Sequence, residues 1–208
     1  MLKRLLKIGI ISVIIALLTG CSVSRGTINS YIEPTYNSGA IKSIAMFPIR
    51  NAKFAPSEAR QINKVLIQSM NKKNPNVNIV APSKALRMIN ESGLASEWAN
   101  FVEDYYTSGI ADKKVLSKFA KALKVDAIFQ GQMFNIQQSD ASDFIASTTR
   151  VSVSFSIVET KTAKVIWEST SDGIRKEDKT LFDSGEAVPI KEALDLAIKK
   201  IKENMPLL

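Results

Sequence analysis

Residues 150–158 read Arg-Val-Ser-Val-Ser-Phe-Ser-Ile-Val, and they carry the clearest strand pattern in the chain. Four apolar residues alternate with three serines, so this stretch predicts a strand with one buried face and one wet or lightly covered face. The apolar positions are Val151, Val153, Phe155 and Ile157. Residues 160–162 are typical of a turn, and residues 163–170 return around Trp167. The stretch therefore predicts an antiparallel hairpin.

The residues before this hairpin alternate between strand and helix patterns. Apolar runs predict strands at residues 41–49, 77–80 and 125–134. Helical spacing of apolar residues predicts helices that open at Pro56, at Pro82, near residue 96 and after Asp112, and a last helix that starts at Pro189. Polar loops are predicted at 136–148 and 172–188. The predicted order is β-α-β-α-α-α-β-β-β-α, which indicates one α/β (α+β) domain over residues 41–208. It is a mixed sheet with an antiparallel C-terminal meander and helices packed on it.

The N-terminus carries a targeting pattern. Lys3, Arg4 and Lys7 precede an apolar run at residues 8–18 that is too short to span a membrane. Residues 18–21, Leu-Thr-Gly-Cys, follow directly and resemble the bacterial lipobox. The resemblance implies that residues 1–20 are a signal peptide and that Cys21, the single cysteine of the chain, becomes a lipidated N-terminus. The alternatives are a plain secretory signal and an uncleaved anchor.

The lipobox resemblance also implies an address. Cys21 would carry a diacylglyceryl group and, in many bacteria, an N-acyl chain such as palmitate, and two or more chains hold a protein stably to a membrane. Ser22 at the next position implies the outer membrane, with the domain facing the periplasm. Residues 21–40 are rich in polar residues and predict a lipidated, flexible tether, although Tyr31 and Tyr36 could dock on the domain.

Composition excludes several classes of function. The net charge is +8, but three of the positive charges lie in the signal peptide and the remaining lysines are dispersed, so no nucleic-acid partner is predicted. The chain has no histidine, which removes the commonest general base and metal ligand. With Cys21 acylated, no cysteine nucleophile remains. We therefore expect no enzymatic activity, no catalytic residue, no cofactor and no metal site.

Weaker catalytic patterns do not change this expectation. Ser69 and Lys72 match the loose S-x-x-K motif, but its companion motifs are missing and Ser69 falls on a surface helix. Five carboxylates could in principle form a glycosidase pair. They are Glu97, Glu103, Asp104, Asp140 and Asp143, and all fall in exposed-looking helix or loop contexts. Asp126, at the start of a strand, is expected to bind backbone groups or a lysine.

The helix at residues 96–107 is the best candidate for binding a partner. Aromatic residues recur on it at helical spacing, and such residues are common in binding hot spots. The candidate interface residues are Trp98, Tyr105 and Tyr106. The alternative is that this stripe only packs in the core, in which case Tyr106, which lies off the stripe, is the most exposed of the three.

Three segments resemble a group of bacterial envelope lipoprotein domains. They are residues 43–48 (Ser-Ile-Ala-Met-Phe-Pro), 123–131 (Leu-Lys-Val-Asp-Ala-Ile-Phe-Gln-Gly) and 158–167 (Val-Glu-Thr-Lys-Thr-Ala-Lys-Val-Ile-Trp). The group includes the curli-secretion lipoprotein, the N-terminal domain of the Tol-system propeller protein and activators of penicillin-binding proteins. Departures occur at Val125 and Ala163, and residues 136–148 are too short and polar for a pore hairpin. The resemblance implies a lipid-anchored adaptor or regulator of another envelope component. The alternative is a subunit of an oligomeric secretion or assembly complex.

Overall fold

The computed structural model describes residues 22–50, 56–140, 147–177 and 188–208. Six strands and five helices lie within these ranges. The elements follow in the order β1 (Ser22–Ile32), β2 (Ser43–Met46), α1 (Pro56–Lys73), β3 (Asn78–Val80), α2 (Pro82–Glu91), α3 (Ala95–Ser108), α4 (Lys113–Leu123), β4 (Ala127–Ser139), β5 (Ser147–Glu159), β6 (Val165–Glu177) and α5 (Ile190–Glu203). None of the described helices is long and apolar enough to cross a membrane.

The strands form one mixed sheet in the order β1-β6-β5-β4-β2-β3. Strand β2 is parallel to both β3 and β4, because helical crossovers connect these strands. Strands β4, β5, β6 and β1 are antiparallel neighbours. The predicted mixed sheet with an antiparallel C-terminal meander is confirmed, and so is the predicted order of elements from residue 41 onward.

Helices cover the two faces of the sheet unequally. On one face, α1 and α5 pack over a core that contains Phe129, Phe155 and Trp167. On the other face, α2, α3 and α4 pack over a second core that contains Phe47, Phe119 and Ile128. Helices α2–α4 lie over β2 and the neighbouring halves of β4 and β5, whereas α5 makes the main helix contacts of β1 and β6 and packs on β5 from the other face. Among the described residues, no helix makes main contacts with the face of the meander opposite α5 beyond the part that α3 reaches, and we call this face the open face.

The tether predicted for residues 21–40 is replaced over residues 22–32 by strand β1. All eleven residues of β1 pair antiparallel with β6, from Ser22 opposite Glu177 to Ile32 opposite Trp167. Beyond the strand, Tyr36 packs against the core as the docking alternative expects, while the exposed Tyr31 donates a hydrogen bond of 2.7 Å to Glu33. Strand β1 thus begins one residue after Cys21, which itself lies outside the described residues.

The loops predicted at 136–148 and 172–188 are also partly wrong. Strand β4 continues to Ser139, β5 starts at Ser147 and β6 continues to Glu177. The sequence pattern does not reveal these strand ends, because small residues, and not large apolar ones, face α5 at this end of the sheet. Ser169, Ser171 and Gly173 are buried there, and the Ser171 hydroxyl donates to the Thr27 carbonyl oxygen at 2.8 Å.

Candidate partner interface around Tyr106

Trp98 lies in the first turn of α3 and is half-buried. Its ring stacks on Phe47 with centroids 3.5 Å apart, and it meets the edge of Phe119 at 5.4 Å. Phe47 follows β2 directly, so this contact fixes α3 against the parallel part of the sheet. The Trp98 ring is therefore partly used in packing, and it also lines a surface cleft.

Tyr105 belongs to the core, with 6% of its surface exposed. Its ring packs against Phe101 at 6.1 Å. Burial raises the pKa of its hydroxyl above the ordinary value, and the neighbouring Ser156 and Gln130 side chains offset part of that shift. Of the three residues predicted for a partner interface, Tyr105 is thus the one whose side chain is buried in the core.

Tyr106 is half-buried and forms a ridge between two clefts. The Arg50 guanidinium lies over its ring, 5.6 Å from the centroid, which is cation–π geometry. Burial raises the pKa of the Tyr106 hydroxyl, the nearby Tyr105 raises it further, and Arg50 lowers it. The neutral phenol is therefore the stable form at neutral pH, with a rigid ring and one polar tip.

The two clefts beside Tyr106 differ in chemistry. The first, of about 240 Å³, is mostly apolar, and we call it the aromatic cleft. Its walls include Phe47, Arg50, Leu86, Trp98 and Val102. The second, of about 150 Å³, lies on the open face and is polar, with Gln132, Ser154, Ser156 and Glu168 in its walls. One side chain, Tyr106, thus borders an apolar and a polar hollow.

Charged groups at the rim of the aromatic cleft are paired with one another. The Arg50 guanidinium donates to the Glu103 carboxylate at 2.6 Å, and both side chains are largely exposed. Lys118 donates to Glu97 at 3.3 Å. A bond to its own backbone amide, the largest cause, and the Lys118 bond hold the pKa of the Glu97 carboxyl below its usual range. These two glutamates act as ion-pair partners and are not brought together.

The sequence missed two members of this site. Arg50 follows the first predicted strand, where nothing in the local pattern points to a site. Its backbone amide donates to the Gly131 carbonyl oxygen at 2.7 Å, so the chain continues beside β4 and holds Arg50 over α3. Leu86 lies on the helix predicted to open at Pro82, and 39% of its surface is exposed at the cleft. The place of Arg50 and Leu86 in the site becomes visible only in the packed structure.

Asp126 has the structural role that the sequence predicts. Its carboxylate accepts from the Lys42 amide at 3.0 Å, the Ser43 amide at 2.9 Å and the Ser43 hydroxyl at 2.8 Å. In return, the Asp126 amide donates to the Ser43 carbonyl oxygen at 3.0 Å. These bonds, which all reach one oxygen of the carboxylate, join the starts of β2 and β4.

The remaining candidates from the sequence do not assemble into a site. Ser69 and Lys72 lie on α1 without a hydrogen bond between them among the described contacts. Within the described ranges, no three His, Cys, Asp or Glu residues are grouped closely enough to hold a metal ion. Cys21 and Asp143 lie outside the described residues.

The chain resembles several solved structures in its general arrangement. No family model matches it, and no curated protein does. It is similar to the PelC dodecamer from Paraburkholderia phytofirmans, with 16% identity over 86% of this chain and 96% of that chain and a TM-score of 0.46. Lipoprotein GNA1162 from Neisseria meningitidis has 13% identity over 78% and 99%, with a TM-score of 0.47. The LpoB C-terminal domain from Salmonella enterica has 10% identity over 67% and 85%, with a TM-score of 0.39. At this similarity, no functional argument rests on them.

Proposed function

We propose that the protein is a lipid-anchored adaptor or regulator of the bacterial cell envelope, which binds another envelope protein and performs no catalysis. The observation that carries the proposal is the Leu-Thr-Gly-Cys sequence at residues 18–21, because it would fix the domain to a membrane. A surface-bound domain meets other surface-bound proteins at a raised effective concentration. Outer-membrane attachment facing the periplasm is part of this proposal.

The surface around Tyr106 supports a protein partner. It combines an aromatic ring, an arginine and an apolar cleft, which are the residue types enriched in binding hot spots. Leu86 at this cleft and Ile110, which follows the end of α3, expose 39% and 74% of their surfaces. We propose that Tyr106 is the central contact and that Trp98 contributes its exposed edge. Tyr105 would support the interface from below.

The test is photo-crosslinking in living cells. A photoreactive amino acid replaces Leu86 at the aromatic cleft in one variant, and in the control it replaces Leu207, which is 58% exposed near the C-terminus. We expect one discrete foreign protein to be captured at residue 86 and not at residue 207. Arg50→Gln and Tyr106→Ala should each reduce capture at least tenfold, as expected for hot-spot residues. Capture that is equal at both positions, or unchanged by both substitutions, would contradict this interface.

A second function is favoured by strand β1. It is the edge of the sheet, and one side of its eleven-residue backbone is unpaired in the described chain. Such an edge is a ready template for pairing with another chain, as in an oligomeric assembly subunit. Multiples of the protein's own mass in the same crosslinking experiment would support the assembly subunit and overturn the adaptor.

A further inference from the structure

Three cations lie together at one end of the open face. Arg25 on β1 and Arg150 on β5 both pair with Ile174 of β6, so their side chains point to the same side of the sheet. Lys176 lies two residues further along β6, on the same side. Neighbouring strands are about 4.8 Å apart and a step of two residues is about 6.8 Å, so the three Cα atoms lie within roughly 12 Å. We call Arg25, Arg150 and Lys176 the basic row.

The basic row is exposed and is not neutralised by its described neighbours. All three side chains are exposed, and they line a broad open hollow of about 670 Å³. None of them has an acidic partner within ion-pair distance among the described residues. Asp172, two residues before Ile174 on the open face of β6, accepts a hydrogen bond from the Ser152 hydroxyl at 2.6 Å. The row therefore presents a local positive charge.

The opposite face of the same end is different. There, Arg175 lies at 2.9 Å from the Glu192 carboxylate and also bonds to the Ser24 hydroxyl. Lys191 is paired with Asp195 at 2.6 Å on the same helix, α5. Among the described residues at this end, Arg175 and Lys191 on the α5 side are paired with carboxylates, whereas the three cations of the open face are not.

The basic row lies next to the proposed lipid anchor. Cys21 directly precedes Ser22, and Ser22 is already paired with Glu177 at the end of the sheet. Lys176 pairs with Val23, two residues from Cys21, and Arg25 is four residues from it. At about 3.4 Å per residue, the row lies roughly 7–14 Å from the anchored residue along the strand, and arginine and lysine side chains can bridge several ångströms of this. With no slack in the chain, the domain can tilt on the bilayer but cannot stand off it.

We propose that the basic row docks the open face onto the anionic phospholipid headgroups of the leaflet that holds the Cys21 acyl chains. This inference rests on the proposed lipid anchor. The anchor sets the distance to the bilayer, and the row selects the tilt at which the open face meets the headgroups. Juxtamembrane cations gain from an anionic surface, and the gain falls off within a Debye length.

The experiment uses the mature lipidated chain in vesicles of phosphatidylcholine, with or without phosphatidylglycerol. An amine-reactive, water-soluble reagent labels lysines. Mass spectrometry compares the labelling rate of Lys176 with that of the exposed Lys161, which lies in the β5–β6 turn at the far end of the sheet. We expect Lys176 to react roughly fivefold more slowly on anionic vesicles only. Lys161 should react equally on both, and high salt should remove the difference.

Two matched variants separate charge from proximity. Arg25→Gln with Arg150→Gln should abolish the protection of Lys176, whereas Lys121→Gln with Lys164→Gln, which removes two exposed charges at the far end, should not. Equal reactivity of Lys176 on both vesicle types, or equal protection on both, would overturn the inference while the anchor stands. A mature chain whose mass shows no acyl group on Cys21 would overturn the proposed function and this inference together.

Discussion

At the scale of single residues, Gly173 determines how closely α5 lies on the sheet. A Cβ at this position would overlap the backbone carbonyl oxygen of Ala193, which cannot move without shifting the helix. We predict that Gly173→Ala lowers the free energy of unfolding by about 3 kcal/mol or more, because a clash with backbone atoms cannot be removed by moving a side chain. The measurement is chemical denaturation followed by circular dichroism.

Gly26→Ala is the matched control for this prediction. Gly26 pairs with Gly173 and faces the same helix, but its added Cβ would meet the flexible Lys200 side chain at 2.9 Å. The Lys200 side chain can move aside, so the change in unfolding free energy should stay below about 1 kcal/mol. A similar decrease in unfolding free energy for the two variants would show that the close approach of α5 does not cause the destabilisation.

At the scale of elements, the sequence predicts best where large apolar side chains alternate. Strand β5 is recognisable from Val151, Val153 and Phe155, which fill the core between the sheet and α5. Strand β1 is not recognisable, because Gly26 and Ser30 flank Ile28 on its α5-facing side, so large apolar residues do not alternate along it. Tyr106 lies on a helix that the apolar spacing predicts, whereas Arg50 depends on an irregular segment beside β4 that no periodicity marks.

Strand β1 gives the prediction that belongs to this scale. A chain that starts at residue 33 lacks β1, which exposes the edge of β6 and uncovers buried groups such as Ser169 and Ser171. We expect it to aggregate and to melt at a lower temperature than a chain that starts at residue 22. Size-exclusion chromatography and thermal melts compare the two. Equal melting temperatures and monomeric elution of both chains would instead support the flexible tether that the sequence predicts.

At the scale of the whole molecule, the four tyrosines respond to pH in the same direction. The pKa is raised by burial for Tyr36, Tyr105 and Tyr106, and by the hydrogen bond to Glu33 for Tyr31. In the unfolded chain tyrosine ionises near pH 10, so the native state holds these protons longer. The contribution of these tyrosines to the free energy of unfolding is therefore fully present below about pH 10, and it decreases as the pH rises above that value.

Tyrosinate absorbance checks this prediction directly. The native protein should titrate at higher pH than the same chain in concentrated denaturant. Coincident titration curves would contradict the burial of Tyr105 and Tyr106.

The length of β1 also limits how far the protein can reach. With the chain fixed at Cys21, the eleven residues of the strand place the far end of the sheet at most about 37 Å above the bilayer. A flexible linker would let the domain sample a wide volume, whereas this strand confines it to a thin layer. On the proposed Cys21 anchor, a binding partner would have to approach the membrane surface to meet this protein, and lengthening the chain between Cys21 and Ser22 would change which partners can be met.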